Sequence, residues 1–155
     1  MIFSGFGNAP AHMSFDRMAK AVDELAKTSE EEVLVQTGNT QYQFHYAKTV
    51  KFMEHDELLK TIERASLVIL QGGWGTIAES LALGKKVISI PRRVGKECNH
   101  PQEEVVRHLE NMGCLIGCYD EKLLPEMVER AKIFEPQPLP KGSAKHIISD
   151  FLDSL

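Results

Sequence analysis

Short apolar runs alternate along the chain with segments whose apolar residues recur at helical spacing. The runs are rich in Val, Ile and Leu, which is typical of buried parallel strands, and they predict strands over residues 2–4, 33–36, 48–53, 67–70, 87–90 and 114–117. The amphipathic segments predict five helices. The first is capped by Ser14, the second carries Leu58 to Ile62, the third spans 77–83, the fourth begins at Pro101 and the fifth spans 123–131. This alternation predicts an α/β fold, a Rossmann-like parallel sheet with helices on both faces.

The C-terminal part of the chain departs from this alternation. Three alternating prolines stiffen residues 134–142 into an extended connector. Ser143 then caps a last predicted helix over 143–155, whose apolar stripe needs a surface to pack against. That surface belongs either to the domain's own sheet or to a partner protein. We therefore predict a single domain over 1–155 with a proline-rich connector and a C-terminal helix.

Composition narrows the class of protein. The chain has 155 residues, of which 43% are hydrophobic and 26% are charged, so one domain can bury a core without disulfides or metals. A net charge of −4 without a long basic run argues against a nucleic-acid groove or a polybasic membrane anchor. The first residues leave no room for a signal peptide, and no apolar stretch approaches the roughly 20 residues of a membrane span. We expect a cytoplasmic protein without direct membrane insertion, whose cysteines Cys98, Cys114 and Cys118 are reduced and structural.

The junction between the fourth predicted strand and the next helix carries the strongest functional signal, Gln71-Gly-Gly-Trp-Gly-Thr-Ile-Ala-Glu79. Glycines at the end of a strand let a ligand approach the backbone, and the following helix offers unpaired N–H groups and its positive dipole end to an anion. The junction therefore predicts a phosphate-binding loop. Neither the dinucleotide fingerprint G-x-G-x-x-G nor the Gly-Lys-Ser/Thr of a P-loop is present, which argues against ordinary NAD and ATP sites. The alternative is a glycine turn that serves only tight packing.

Ordered blocks of sequence surround this junction between residues 1 and 117. They are Met1-Ile-Phe, Ser14-Phe-Asp-Arg, Val33-Leu-Val-Gln-Thr-Gly38, Gly72-Gly-x-Gly-Thr-Ile-x-Glu79, Leu83-Gly-Lys-Lys-Val-Ile-x-Ile-Pro91 and His100-x-Gln102. Together they resemble the C-terminal, sugar-nucleotide-binding half of family-28 glycosyltransferases, and most closely its free-standing form. In that form the half-enzyme is a separate polypeptide, as in two-subunit transferases of bacterial polysaccharide assembly and in the dolichol-linked N-acetylglucosamine transferase.

The resemblance implies a GT-B-type half-domain that binds a UDP-sugar donor at the carboxyl edge of its sheet. Gly72, Gly73, Gly75 and Thr76 match the family's diphosphate loop. The helix N-terminus behind them would stabilise the UDP leaving group by roughly 0.3 to 2 kcal/mol without a metal. The resemblance therefore implies neither a cofactor nor a metal, and the UDP-sugar is the substrate.

The same resemblance assigns further residues to the donor. Glu79 matches the carboxylate that binds the ribose hydroxyls, although Thr76 and Glu79 also have the spacing of a capping box. Gln102 matches a glutamine that binds donor-sugar hydroxyls, and its alternative is a plain position in the first turn of a helix. The backbone at Phe52 and Met53 matches the uracil-binding segment, while we expect their side chains to belong to the core.

Two other groups are candidates because of their chemistry. Arg92, Arg93 and Lys96 follow the fifth strand, where a flexible cationic loop would close on the diphosphate or on phosphates of the acceptor. The alternative is a solvated loop. His12 and His100 are candidates for proton transfer, although a lone histidine is more often structural or exposed. No carboxylate pair has convincing spacing for a general base, so the catalytic residues stay unassigned.

These assignments predict the donor-binding subunit of an inverting UDP-sugar-dependent glycosyltransferase that transfers a hexosyl or N-acetylhexosaminyl group. The acceptor is expected to be lipid-linked or a polysaccharide. A membrane-associated partner subunit would bind the acceptor, recruit the chain to the membrane and be needed for activity, with substrate positioning as a major contribution. A homo-oligomer that pairs through the face meant for the acceptor half is the alternative assembly.

Departures from the family pattern leave two other functions open. Residues 4–13 differ from the family's usual Val-Gly-Thr-type loop, and Gln71 stands where the family commonly has a histidine. The segment 72–79 also resembles the signature of nucleoside-monophosphate phosphoribohydrolases of the lysine-decarboxylase-like type, whose arginine-rich element before the glycine strand is missing here. The other alternative is a sugar-nucleotide-binding regulator without turnover.

Overall fold

The computed structural model describes residues 1–139, which form a parallel sheet covered by helices. Within this part of the chain the strands are β1 (Ile2–Gly5), β2 (Val33–Gln36), β3 (Lys48–Val50), β4 (Leu67–Gln71), β5 (Val87–Ile90) and β6 (Ile116–Gly117). The helices are α1 (Asp16–Thr28), α2 (His55–Arg64), α3 (Trp74–Ala82), α4 (Gln102–Asn111) and α5 (Leu124–Ala131). The strand order is β3-β2-β1-β4-β5-β6, and all neighbouring strands are parallel. The predicted α/β, Rossmann-like fold class is confirmed.

Helices pack on both faces of the sheet because the central strands are apolar on both sides. Helices α1 and α5 cover one face, where Met18, Val22 and Leu124 pack against a cluster that includes Ile69. Helices α2, α3 and α4 cover the other face with the buried residues Ile62, Ile77, Leu81, Val106 and Leu109. Continuous burial of strands β1, β4 and β5 is what a parallel sheet with two covered faces requires.

The start of α1 differs from its prediction. Ser14 does not cap this helix, because Phe15 occupies the N-cap position and no side chain there bonds the first turn. The Ser14 hydroxyl donates instead to Asp16 Oδ1 at 2.5 Å and accepts the Gln41 backbone N–H at 2.9 Å. Ser14 therefore joins the helix to the β2–β3 connection rather than satisfying the helix itself.

Other element boundaries also shift. Strand β3 ends at Val50 rather than residue 53, and β6 begins at Ile116 rather than residue 114. Residues 134–139, the described part of the proline-rich connector, have no regular secondary structure, and the Gln137 N–H donates to the Gly113 carbonyl at 2.9 Å. The rest of the connector and the predicted helix over 143–155 lie outside the described residues.

The strand order reverses between β1 and β4, and this position determines where a ligand can bind. Connections from β1 and β4 leave the sheet in opposite directions, so a crevice opens at their carboxyl ends. Open α/β sheets bind their ligands at this switch point. The predicted glycine loop follows β4 directly and lies at this crevice.

A buried carboxylate fixes the connection between β2 and β3. Asp23 of α1 accepts the backbone N–H groups of His45, Tyr46 and Ala47 and the hydroxyl of Tyr42, at 2.9 to 3.1 Å. Burial alone would raise the pKa of Asp23, but these four hydrogen bonds favour the carboxylate and hold its pKa below the ordinary value. The last residues of the connection, just before β3, are therefore held in place by α1.

Candidate functional site: the cleft at the strand switch point

The glycine loop leads into a helix whose first turn is open. Strand β4 ends at Gln71 and α3 begins at Trp74, with Gly73 at the N-cap and no side-chain cap among the described residues. A Cβ built on Gly75 would meet no atom within 4 Å, so packing does not demand a glycine at that position. The first-turn N–H groups of a helix lack intrahelical partners and favour an anion. The structure thus places an anion-binding geometry where the sequence predicts the diphosphate loop.

The cleft beside this loop is built from three strand ends. It is a shallow, partly open cleft lined by Phe3, Gly5, Gly7, Gln36, Leu58, Leu70, Gln71, Gly73 and Thr76. Gly7 and Gly38 have positive φ angles of 72° and 57°, which side chains rarely adopt. A Cβ on Gly38 would overlap the Gly7 carbonyl oxygen. The glycines after β1 and β2 therefore let two loops touch at one side of the cleft.

Glu79 lies on the same helix as the open first turn. Because Gly73 is the N-cap and Thr76 is already in the helix, the alternative of a capping box between Thr76 and Glu79 is wrong. The Glu79 carboxylate is 35% exposed and lies 3.3 Å from Nε2 of His55, the first residue of α2. The sequence did not indicate His55, because no local pattern pairs the start of α2 with the middle of α3. The ribose-binding role of Glu79 stays a prediction.

Gln102 connects two loops at the carboxyl edge. Its Oε1 accepts the backbone N–H groups of Gly72 and of Arg92, both at 2.9 Å. Its Nε2 donates to Oε1 of Gln71 at 2.6 Å, which leaves one further N–H of this amide without a partner among the described residues. A Cβ on Gly72 would lie 2.7 Å from Gln102 Cβ, so glycine is required there for this packing. Gln102 therefore holds the glycine loop, and its sugar-binding role stays a prediction.

Arg92 is not part of a flexible cationic loop, and that prediction is wrong. Its side chain is only 3% exposed, and its guanidinium lies 4.7 Å from the ring of Phe15. Each guanidinium nitrogen donates a hydrogen bond at 2.6 to 3.2 Å, with acceptors Phe6 O, Met13 O, Glu97 O and Gln71 Oε1. Burial lowers the pKa of Arg92 from its ordinary value. Arginine is nonetheless protonated in proteins, so a buried cation lies behind the glycine loop.

The rest of the loop after β5 is anchored at its base and exposed at its tip. Arg17 donates to Glu97 at 2.9 Å, to Glu121 at 3.3 Å and to the Pro91 carbonyl at 2.8 Å. The side chains of Arg93 and Lys96 are exposed. These two residues therefore remain candidates for contact with an anionic ligand, whereas the donors of Arg92 are bonded to the protein.

The segment matched to uracil binding is only partly buried. Phe52 is 50% exposed, so the expectation that its side chain belongs to the core is wrong. Met53 is half-buried against the second core cluster, and its backbone N–H donates to Gln36 Oε1 at 2.9 Å. That N–H is therefore occupied by the protein, and a uracil contact would have to use other backbone groups of the segment.

The two histidine candidates lie on exposed loops of the carboxyl edge. His12 belongs to a short 3-10 turn after β1, and His100 follows the loop after β5. Their catalytic roles stay predictions.

Among residues 1–139, the His, Cys, Asp and Glu side chains do not gather into groups of three that could hold a metal ion. Within the same part of the chain, every helix is too short or too polar to cross a bilayer.

The three cysteines are free and buried. Burial raises the pKa of each thiol, to about 11 for Cys118. A buried thiol with a raised pKa carries little thiolate and is chemically inert. This environment fits the expected structural role of the cysteines.

A parallel sheet of this strand order, with a glycine-rich loop at its switch point, defines a Rossmann-like α/β domain. The glycosyltransferase family 28 C-terminal domain matches residues 9–154, so the chain belongs to this family. No curated protein matches the sequence.

Solved glycosyltransferases share the fold. The chain is similar to the spinosyn rhamnosyltransferase SpnG, with a TM-score of 0.62 and 15% identity over 96% of this chain and 39% of that one. For SnogD from Streptomyces nogalater the TM-score is 0.55 and the identity 19%, over 96% and 42% of the two chains. For MurG from Acinetobacter baumannii the values are 0.54 and 16%, over 97% and 49%. The fold is thus that of a GT-B C-terminal half, and the chain spans less than half the length of these proteins.

Proposed function

We propose that this chain binds a UDP-sugar donor and acts as the donor-binding half of an inverting glycosyltransferase. The observation that carries the proposal is the uncapped first turn of α3, which borders the cleft at the strand switch point. Family membership supports a glycosyl-transfer role for this domain, and the site supplies a place for a diphosphate. The transferred group would be a hexosyl or N-acetylhexosaminyl unit.

The diphosphate would lie against Gly73, Gly75 and Thr76. Open space beside Gly75 lets phosphoryl oxygens reach the backbone, and the unpaired N–H groups of the first turn donate to them. As the bond between the anomeric carbon and the UDP oxygen breaks, negative charge accumulates on that oxygen. The positive end of the α3 dipole stabilises this charge, so donor departure would not require a metal.

The nucleoside would extend from the diphosphate along α3. Glu79 lies one turn after Thr76 on the same face of the helix, and its carboxylate is accessible. A carboxylate there accepts hydrogen bonds from both ribose hydroxyls. Gln102 does not define which sugar binds, because most hydrogen-bonding groups of its amide are bonded to Gly72, Arg92 and Gln71.

A second protein half would complete the enzyme. Transfer with inversion requires an acceptor hydroxyl to attack from the side opposite UDP and to pass its proton to a base. This chain spans less than half of the length of the solved glycosyltransferases that share its fold. We propose that a membrane-associated partner binds a lipid-linked or polysaccharide acceptor, supplies the base and brings this chain to the membrane.

Calorimetric titration of the purified chain tests donor binding directly. The ligands are UDP, UDP-glucose, UDP-galactose, UDP-N-acetylglucosamine and AMP. The expected result is binding of UDP and of one or more UDP-sugars, with no heat from AMP. Binding of AMP with release of adenine would support a phosphoribohydrolase instead. If none of the ligands bound, donor binding by this chain alone would be contradicted.

A further inference from the structure

We propose that Gln36 selects uracil over cytosine in the bound nucleotide, by donating a hydrogen bond from Nε2 to the O4 carbonyl of the base. This role rests on the proposed function and deepens it, because Gln36 would distinguish a UDP-sugar from a CDP-sugar. The resemblance assigns the base only to the backbone at Phe52 and Met53, and neither the family match nor the glycine pattern gives Gln36 a role.

One backbone donor sets the orientation of the Gln36 amide. The Met53 N–H points at one end of this amide at 2.9 Å. A backbone N–H can only donate, so that end must be the oxygen Oε1. The other end is the NH₂ group, which has two N–H donors and no partner among the described residues. Nε2 is not one of the fully buried unpaired atoms, which are Ser4 Oγ and Ser89 Oγ, so it is accessible.

The free end of the amide belongs to the cleft at the strand switch point. Gln36 is the last residue of β2 and lines this cleft, whereas Met53, which bonds the oxygen, does not. The register of the sheet puts Gln36 level with Gly5 of β1, and Gly5 level with Leu70 of β4. A Cβ on Gly5 would come within 3.3 Å of Leu70 Cδ2. Glycine therefore keeps the floor of the cleft open between Gln36 and the end of β4.

The distance from the glycine loop indicates which part of the donor reaches Gln36. Strands β2 and β4 are separated by β1. Neighbouring strands lie about 4.8 Å apart, so the end of β2 is roughly 10 Å from the end of β4, where the diphosphate would bind. A nucleoside attached to the diphosphate is long enough to cover this distance, whereas a phosphoryl group held at the glycine loop is not. The group that meets Gln36 is therefore the base.

Contacts between α2 and α3 mark the same path. The Glu79 carboxylate, proposed to bind the ribose, lies 3.3 Å from Nε2 of His55. His55 follows two residues after Met53, whose N–H is bonded to Gln36. The half-exposed ring of Phe52 directly precedes Met53. Gln36 thus lies beyond the ribose position when the nucleotide is followed from its diphosphate.

Hydrogen-bonding chemistry determines which base fits this position. Uracil has a carbonyl at C4, whereas cytosine has an amino group there. Nε2 of Gln36 can donate to the carbonyl, but opposite the amino group it would set donors against donors, which leaves polar groups unpaired and weakens binding. The amide cannot turn over to suit cytosine, because its NH₂ group would then face the Met53 N–H. The O4 carbonyl is also the acceptor of uracil that lies farthest from the ribose.

The test measures the preference for UDP over CDP by calorimetry. The two ligands carry the same phosphates and the same ribose, so effects on those groups cancel in the ratio of the two affinities. The parent chain should bind UDP about 10-fold or more tightly than CDP. Gln36→Glu keeps an oxygen for the Met53 N–H and presents a second oxygen, an acceptor, to the base. The ratio should therefore fall at least about 10-fold, which removes or reverses the preference.

A second variant and a control separate base selection from other effects. Gln36→Met removes the donor without adding charge, so its affinities for UDP and CDP should become nearly equal. Gln43→Glu is the matched control, because Gln43 is exposed, lies outside the cleft and undergoes the same change in net charge. It should leave the ratio unchanged. Circular dichroism checks that each variant is folded.

The same measurements can overturn the proposal. If Gln36 only held Met53 in place, Gln36→Met would weaken both ligands equally and Gln36→Glu would weaken neither. An unchanged ratio in the folded Gln36 variants would therefore overturn base selection by this residue, as would equal affinities of the parent chain for UDP and CDP. Failure of the parent chain to bind UDP would instead overturn the proposed function.

Discussion

The loops that follow β4 and β5 lie side by side at the carboxyl edge of the sheet, and they use their hydrogen-bond donors in opposite ways. After β4, the first turn of α3 has no side-chain cap and Gly75 is surrounded by open space. After β5, every guanidinium nitrogen of Arg92 is bonded to the protein and the side chain is 3% exposed. Sequence patterns predicted a phosphate contact in both loops.

This contrast shows that a cationic residue near a binding site is not by itself a ligand contact. Arginine carries its donors in a rigid fork, which suits it to gather several carbonyl oxygens in the protein interior. A helix N-terminus cannot satisfy its own first N–H groups, so those donors remain for a ligand unless a side chain caps them. The loop after β5 therefore holds neighbouring loops in place, and the loop after β4 presents the N–H groups that are left for a ligand.

Replacing Arg92 should give the largest effect on stability. Arg92→Met removes the donors to three carbonyl oxygens and to Gln71, and leaves these buried acceptors unpaired. We expect the free energy of unfolding to fall by roughly 3 kcal/mol or more. Urea denaturation followed by circular dichroism measures this loss.

The neighbouring arginine provides the control for that experiment. Arg93 is exposed, so Arg93→Met should change the free energy of unfolding by less than about 0.5 kcal/mol. A loss below about 1 kcal/mol for Arg92→Met would contradict the supporting role of this side chain.

Gln102 should have the next largest effect, because it connects the two loops. In Gln102→Ala the N–H groups of Gly72 and Arg92 lose their shared acceptor, and we expect a loss of about 1 to 2 kcal/mol in unfolding free energy. The resemblance alone predicts weaker binding of UDP-sugar and unchanged binding of UDP. The structure predicts that both ligands bind more weakly, because Gly72 is no longer held. Paired titrations separate the two roles, and Glu103→Ala on the exposed side of the same turn is the control.

The alternation of apolar runs predicted every strand of the described sheet, because burial on both faces leaves a strong local signal. The glycine loop was equally visible, since its three glycines follow a buried strand directly. Both features depend on residues close together in the sequence, and local periodicity records such features well.

The contacts of Arg92 and Gln102 that hold the glycine loop after β4 could not be predicted from local periodicity. Arg92 donates to the carbonyl of Phe6, 86 residues earlier, and Gln102 bonds Gln71, 31 residues earlier. No periodicity encodes such pairs, because they depend on which loops the sheet brings together. Gln71 departs from the family pattern, yet only the geometry shows that its oxygen accepts from both Arg92 and Gln102.

Glu79 should affect binding more than stability. Gly73, not Thr76, caps α3, so Glu79→Gln removes no helix cap and should change the unfolding free energy by less than about 0.5 kcal/mol. If the carboxylate holds the ribose, UDP and uridine should both bind about 10-fold more weakly. Glu63→Gln on the exposed side of α2 is the control. Unchanged uridine affinity in Glu79→Gln would remove the ribose role.

The smallest change, Gly75→Ala, tests the openness of the β4 loop most directly. Gly75 does not have a positive φ angle and its Cβ position is empty, so alanine fits the free protein. Alanine should raise the unfolding free energy by about 0.5 to 1 kcal/mol, because glycine is the poorer helix former. The added methyl group would occupy space assigned to the diphosphate, so UDP affinity should fall about 10-fold.

Gly84→Ala is the contrasting control. Gly84 lies in a loop away from the cleft, and its φ of 71° makes alanine strained there. The stability of this variant should fall while its UDP affinity is retained. A Gly75→Ala variant that is more stable and binds UDP as tightly as the parent would show that the diphosphate does not approach the backbone at this position.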